Sequence, residues 1–75
     1  MPLFEALRAL RRSLADEAGV PSYVIFHDAT LAEMVERHPT TREGFGALNG
    51  VGTAKLERYA DRFLALLREH RPAAD

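Results

Sequence analysis

Leucines recur along the first stretch of the chain at Leu3, Leu7, Leu10 and Leu14, with Ala6, Ala15 and Ala18 beside them. That spacing of three and four residues is one face of an α-helix, and it predicts a helix over Leu3–Ala18. Pro2 suits a helix start, and Gly19 suits a left-handed stop. The pattern then changes. Val20-Pro21-Ser22-Tyr23-Val24-Ile25-Phe26 is rich in β-branched and aromatic residues, which on propensity alone reads as a strand. No second run of this kind follows, and an unpaired strand leaves its backbone groups unsatisfied. A short extended or 3₁₀ segment is therefore expected, with its apolar residues, Tyr23 and Val24 included, buried in a helical core.

Thr30 followed by Glu33 has capping-box spacing and predicts a helix from Leu31 to Arg37 that turns Leu31, Met34 and Val35 inward. His38-Pro39 ends it. Thr40 or Thr41 then caps a short helix running to about Leu48, and Asn49-Gly50-Val51-Gly52 reads as a tight turn. Thr53 is the expected cap of a last helix whose apolar face is Leu56, Ala60, Phe63, Leu64 and Leu67, closed by Arg71-Pro72. The reading is all-α: a small orthogonal bundle of four to five helices forming one domain over residues 1–75, with its structured core at 3–71. Leu7, Leu10, Leu14, Val24, Phe26, Leu31, Val51, Leu56, Phe63 and Leu67 are its expected shared core.

Composition narrows the class. Apolar residues make up 47% of the 75 and charged residues 28%, as in a globular chain. A formal charge of −1 argues against a strongly basic nucleic-acid arm. With no cysteine there is no disulfide and no thiolate metal site. Neither a signal peptide nor a spanning segment is apparent, so a cytoplasmic, nucleoid-associated location is expected. A chain this short has little room for a substrate pocket beside its core, so a binding module from a larger protein is the natural expectation.

The segment richest in chemistry is Gly50-Val51-Gly52-Thr53-Ala54-Lys55-Leu56-Glu57-Arg58-Tyr59. Glycine permits close approach of a phosphate or another backbone, and the following helix begins with free N–H groups that favour an anion. Lys55, Arg58 and Arg62 continue as a basic stripe at helical spacing. A G-x-G between helices is often only a tight turn; the adjoining cations are what point to a phosphate backbone. Tyr59 is expected at the edge of the buried face.

These residues bring the chain close to a known family. It resembles an HRDC domain, the helicase-and-RNase-D C-terminal module, most closely those of RecQ-type DNA helicases. The likeness is carried by Pro21-x-Tyr23-Val24-Ile25-Phe26-x-Asp28-x-Thr30-Leu31, by Arg37-His38-Pro39-Thr40, and by Gly50-Val51-Gly52 with Lys55 and Tyr59 downstream, and it spans Leu3 to Leu67. Asn49 stands where the family commonly has proline. The resemblance implies a bundle of the helix-hairpin-helix, SAM-like kind and an accessory role in a parent helicase. It also implies contact with single-stranded or branched DNA; the near-neutral charge makes weak contact the expectation, and the isolated domain is expected to be a monomer. ATP and Mg would belong to the parent chain, with no cofactor in this domain.

Charge is unevenly distributed along the chain. Residues 1–12 carry +2, through Arg8, Arg11 and Arg12, and residues 13–38 carry −4, through Asp16, Glu17, Asp28, Glu33 and Glu36. Side-by-side packing of the first and last helices would merge Arg8, Arg11 and Arg12 with Lys55, Arg58 and Arg62 into one patch. The acids then form a second face, the basis of an alternative role: docking onto other domains of the parent helicase or onto a partner. His27, His38 and His70 lack the spacing of a helical metal site, and no nucleophile turn or phosphate-loop motif is present, so neither a catalytic nor a metal site is expected.

Overall fold

The computed structural model describes residues 2–70. Five helices follow one another: α1 (Leu3–Ala18), α2 (Ser22–Ile25), α3 (Asp28–Arg37), α4 (Arg42–Gly46) and α5 (Thr53–Glu69). No strand occurs among the described residues. The long helix α1 packs against α2, α3 and α5, while α4 packs against α5.

α1 has the predicted bounds. Gly19 ends it in the left-handed conformation (φ 69°), and its N–H donates to the Asp16 carbonyl. Leu7 and Leu14 are buried and Leu10 is half-buried. The Val20–Phe26 run is neither a strand nor wholly buried. Ser22–Ile25 form one helical turn, with Phe26 extended after it. Successive residues of a helix diverge by about 100°, so four consecutive apolar side chains cannot all face one core. Ile25 and Phe26 face inward, whereas Tyr23 is 60% exposed and Val24 43% exposed, which overturns the expectation that both are core residues.

α3 begins earlier than predicted, at Asp28, with His27 rather than Thr30 in the N-cap position. Thr30 is buried instead, and the Thr30–Glu33 capping box does not form. Val35 lies at the surface, contrary to its predicted inward position. His38 ends α3 with φ 47°, and its Nε2–H donates to the Leu67 carbonyl at 2.7 Å, tying that end to the last turns of α5. Thr41 caps α4 as expected, its Oγ1 accepting from the Gly44 N–H at 3.0 Å. The N-cap of α5 is Gly52, and Thr53 makes no capping bond. The predicted stop at Arg71-Pro72 lies outside the described residues.

Three phenylalanines form the centre. Phe26 meets Phe63 edge-on (centroids 5.2 Å, 84°) and Phe45 likewise (6.0 Å, 76°), an arrangement that aligns ring edge with ring face. Leu7, Leu31, Met34, Leu64 and Leu67 close around them. Val51 and Leu56 pack half-buried against this cluster, at its rim rather than inside it.

Candidate nucleic-acid interface

The turn before α5 owes its shape to α3. Gly50 has φ 89°, a conformation L side chains rarely adopt, and a Cβ there would lie 2.5 Å from Thr30 Oγ1. Thr30 Oγ1 donates to the Asn49 carbonyl at 3.1 Å, and the Asn49 N–H donates to Glu33 Oε1 at 3.0 Å. Arg37 holds the other oxygen of the same carboxylate at 3.2 Å. Thr30 and Glu33 thus clamp Asn49–Gly50 from both sides. Gly52 has an ordinary negative φ of −86°, so only the first glycine of the pair uses its conformational freedom.

Beyond the turn, α5 sorts its charges by face. Arg42 reaches across from α4 to Glu57 (3.5 Å) and Asp61 (2.9 Å), and Arg62 pairs with Glu17 of α1 at 3.5 Å. Lys55 and Arg58 have no carboxylate partner among the described residues. Lys55 sets its ammonium over Phe26, the Nζ 5.6 Å from the ring centroid. Tyr59 is half-buried and edge-on to Phe26 (6.0 Å, 71°). One shallow depression is lined by Gly50, Val51, Gly52, Ala54 and Lys55; a second, sharing Ala54 and Lys55, adds Val24, Arg58 and Tyr59.

The α1 arginines do not merge with this group. Arg8 and Arg12 line a separate depression together with Ser22 of α2, so α2 contributes to both basic regions, through Ser22 on one side and Val24 on the other. Arg8 is loosely paired with Glu5 at 3.7 Å, while Arg12 is exposed with no partner among the described residues. Arg11 touches the same depression, but its charge is committed inward. Its side chain is only 9% exposed, Nη1 donates to the Phe26 carbonyl at 2.9 Å, and Nη2 pairs with Asp28 at 2.8 Å. Arg62, expected in the exposed stripe, is likewise occupied by Glu17.

The acidic face is also thinner than its sequence count. Glu17, Asp28 and Glu33 hold Arg62, Arg11 and the Asn49 turn respectively, which leaves Asp16 and Glu36 without a partner among the described residues. Sequence reasoning assigned Tyr23 to the core, whereas it stands in solvent with its ring stacked near that of His27 (6.1 Å, 22°). The available signal was Pro21-Ser22: proline followed by a polar residue starts a helical turn, and a turn exposes part of any apolar run. No helix among the described residues is long and apolar enough to cross a membrane.

Comparison with known proteins agrees with this architecture. The family model described as "HRDC domain" matches residues 1–67. The chain is 45% identical over 69 residues to the ATP-dependent DNA helicase RecQ of Pasteurella multocida, which covers 92% of this chain and 11% of that protein. It is 42% identical over 62 residues to the ATP-dependent DNA helicase UvrD2 of Mycobacterium tuberculosis, covering 83% of this chain and 9% of the relative. Among solved structures, the third HRDC domain of Deinococcus radiodurans RecQ superposes with a TM-score of 0.85 at 37% identity, covering 89% of this chain and 88% of that one.

Proposed function

The chain belongs to the HRDC domain family, and on that premise we propose that it serves as the accessory nucleic-acid-binding module of an ATP-dependent DNA helicase. The chain spans about a tenth of the curated helicases it resembles, and ATP and Mg chemistry would reside in the rest of such a parent. The domain's part is to hold single-stranded or branched DNA by its backbone.

One observation carries this reading: α2 offers Tyr23 and Val24 to solvent between two sets of cations. Arg8 and Arg12 lie on one side, Lys55 and Arg58 on the other. The Tyr23 ring itself stands beside His27 and Asp28. An exposed aromatic ring on a turn whose neighbours Ser22 and Val24 adjoin the two sets of cations suits a single strand, whose bases stack on the ring while its phosphates meet the cations. Few cations are free, so affinity is expected in the non-specific range, with Kd on the order of 10⁻⁴–10⁻⁶ M at physiological salt. Backbone contacts carry no base information, so little sequence preference is expected.

A low-salt titration with single-stranded DNA followed by NMR tests it. Shifts should cluster at 22–24 and 50–59, with further shifts at Arg8 and Arg12. Tyr23→Ala should weaken binding severalfold and leave the fold intact, because the ring is exposed. Silence of these residues at millimolar DNA would overturn the reading in favour of docking onto other domains of the parent.

A further inference from the structure

The depression bounded by Val24, Ala54, Lys55, Arg58 and Tyr59 combines an aromatic and a β-branched side chain with two cations. Val24 forms one wall from α2, and the half-buried Tyr59 ring stands on α5, braced edge-on against Phe26. The Lys55 Nζ lies over the same Phe26 ring. Lys55 and Arg58 supply charge at the rim. No carboxylate lines the notch, and the nearby acids of α5, Glu57 and Asp61, are paired with Arg42 of α4.

We infer that this notch receives a single unstacked nucleobase, with the phosphates on either side of it held by Lys55 and Arg58. The inference rests on the proposed nucleic-acid role and gives that role a base-dependent subsite. A nucleotide combines a planar apolar face with anionic groups a short distance away, which is the complement of an apolar notch with cations only at its rim. The neighbouring depression at Gly50–Gly52 shares Ala54 and Lys55, so the strand has a continuous path past the notch. A duplex cannot use this site without unpairing and unstacking a base, at a cost of a few kcal/mol. The notch therefore favours single strands over duplexes without reading sequence.

The test compares a short oligothymidylate with an abasic strand of the same length and phosphate count, both added to the 75-residue chain at low salt. The oligothymidylate should bind about fivefold tighter or more, the range expected from stacking one base. It should also shift the Val24 methyl and Tyr59 ring resonances, while the abasic strand shifts the cations, Lys55 and Arg58 among them, and neither Val24 nor Tyr59. In a Tyr23→Ala background, which removes stacking outside the notch, Val24→Ser should abolish the remaining difference between the two strands. Arg58→Ala should weaken both equally. Equal affinity for the two strands, with the same Val24 and Tyr59 shifts, overturns the notch while leaving the nucleic-acid role standing. Binding of neither strand overturns both. If an acidic peptide ending in phenylalanine shifts Val24 and Tyr59 and neither strand does, the notch belongs to a protein partner and the inference fails.

Discussion

Arg11 and Arg12 are neighbours in sequence with opposite fates. Arg12 points into solvent, while Arg11 turns inward to satisfy the Phe26 carbonyl, which the extended geometry after α2 would otherwise leave unpaired in the core. Asp28 neutralises its charge at the rim and stays 76% exposed, so the ion pair is half solvated. The hydrogen bond to the buried carbonyl is therefore the larger contribution. Arg11→Ala should cost about 1–3 kcal/mol, the penalty for orphaning a buried acceptor. Arg12→Ala should change stability by less than about 0.5 kcal/mol and instead weaken DNA binding. Urea unfolding of the two variants, set beside their DNA titrations, would show whether the two roles separate; equal unfolding midpoints would argue against this division.

At the level of elements, α3 governs the geometry of the turn that leads into α5. Glu33 accepts from the Asn49 N–H and from Arg37 with its side chain only 14% exposed, so it acts as a brace rather than as part of an acidic docking face. Glu33→Gln keeps one acceptor oxygen for Asn49 and should hold the turn. Glu33→Ala removes it and should loosen Asn49–Gly52, raising amide exchange there while α1 and α5 remain protected. Phosphate contacts at Lys55 should weaken along with it. Amide exchange in Asn49–Gly52 identical for the Ala variant and the parent chain would show that Thr30 alone suffices.

For the whole molecule, stability depends on the phenylalanine cluster that joins α4, α5 and the end of α2. Phe63 has no exposed surface and meets both of the other rings. Phe63→Ala should cost about 3–5 kcal/mol, a large share of the 5–15 kcal/mol typical of a domain. An unchanged thermal midpoint would contradict the packing described. Under the proposed role, charge pairing would also set the scale of DNA binding. Among the described residues, Arg11, Arg37, Arg42 and Arg62 are each paired with acids and Arg68 is bonded to the Thr40 carbonyl, leaving Lys55, Arg58, Arg12 and the loosely held Arg8 for phosphates. Three to four contacts at about −0.7 each give a slope of log K against log salt of roughly −2 to −3 for single strands. A much steeper slope would mean that the paired arginines also let go of their acids on binding.

Local pattern was enough for the elements whose signals repeat or cap. The leucine period of α1, Gly19 after it, Thr41 before α4 and the apolar face of α5 are all legible from residues a few positions apart, because a helix is built from contacts at that range. The Gly50-Val51-Gly52 motif and the Pro21–Leu31 block were likewise sufficient to place the chain in its family. Tertiary structure decided where the polar groups go. Arg11 meets Phe26 across 15 positions, Asn49 meets Glu33 across 16 and Thr30 across 19, and Arg62 meets Glu17 across 45. No local period encodes such pairings. α2 failed to show itself for a related reason: four residues make one turn, too short for any period, and its facing is set by what packs around it. Tyr23 and Val24 therefore stand in solvent because the core already holds Ile25 and Phe26, a choice made by the space left between α1, α3 and α5.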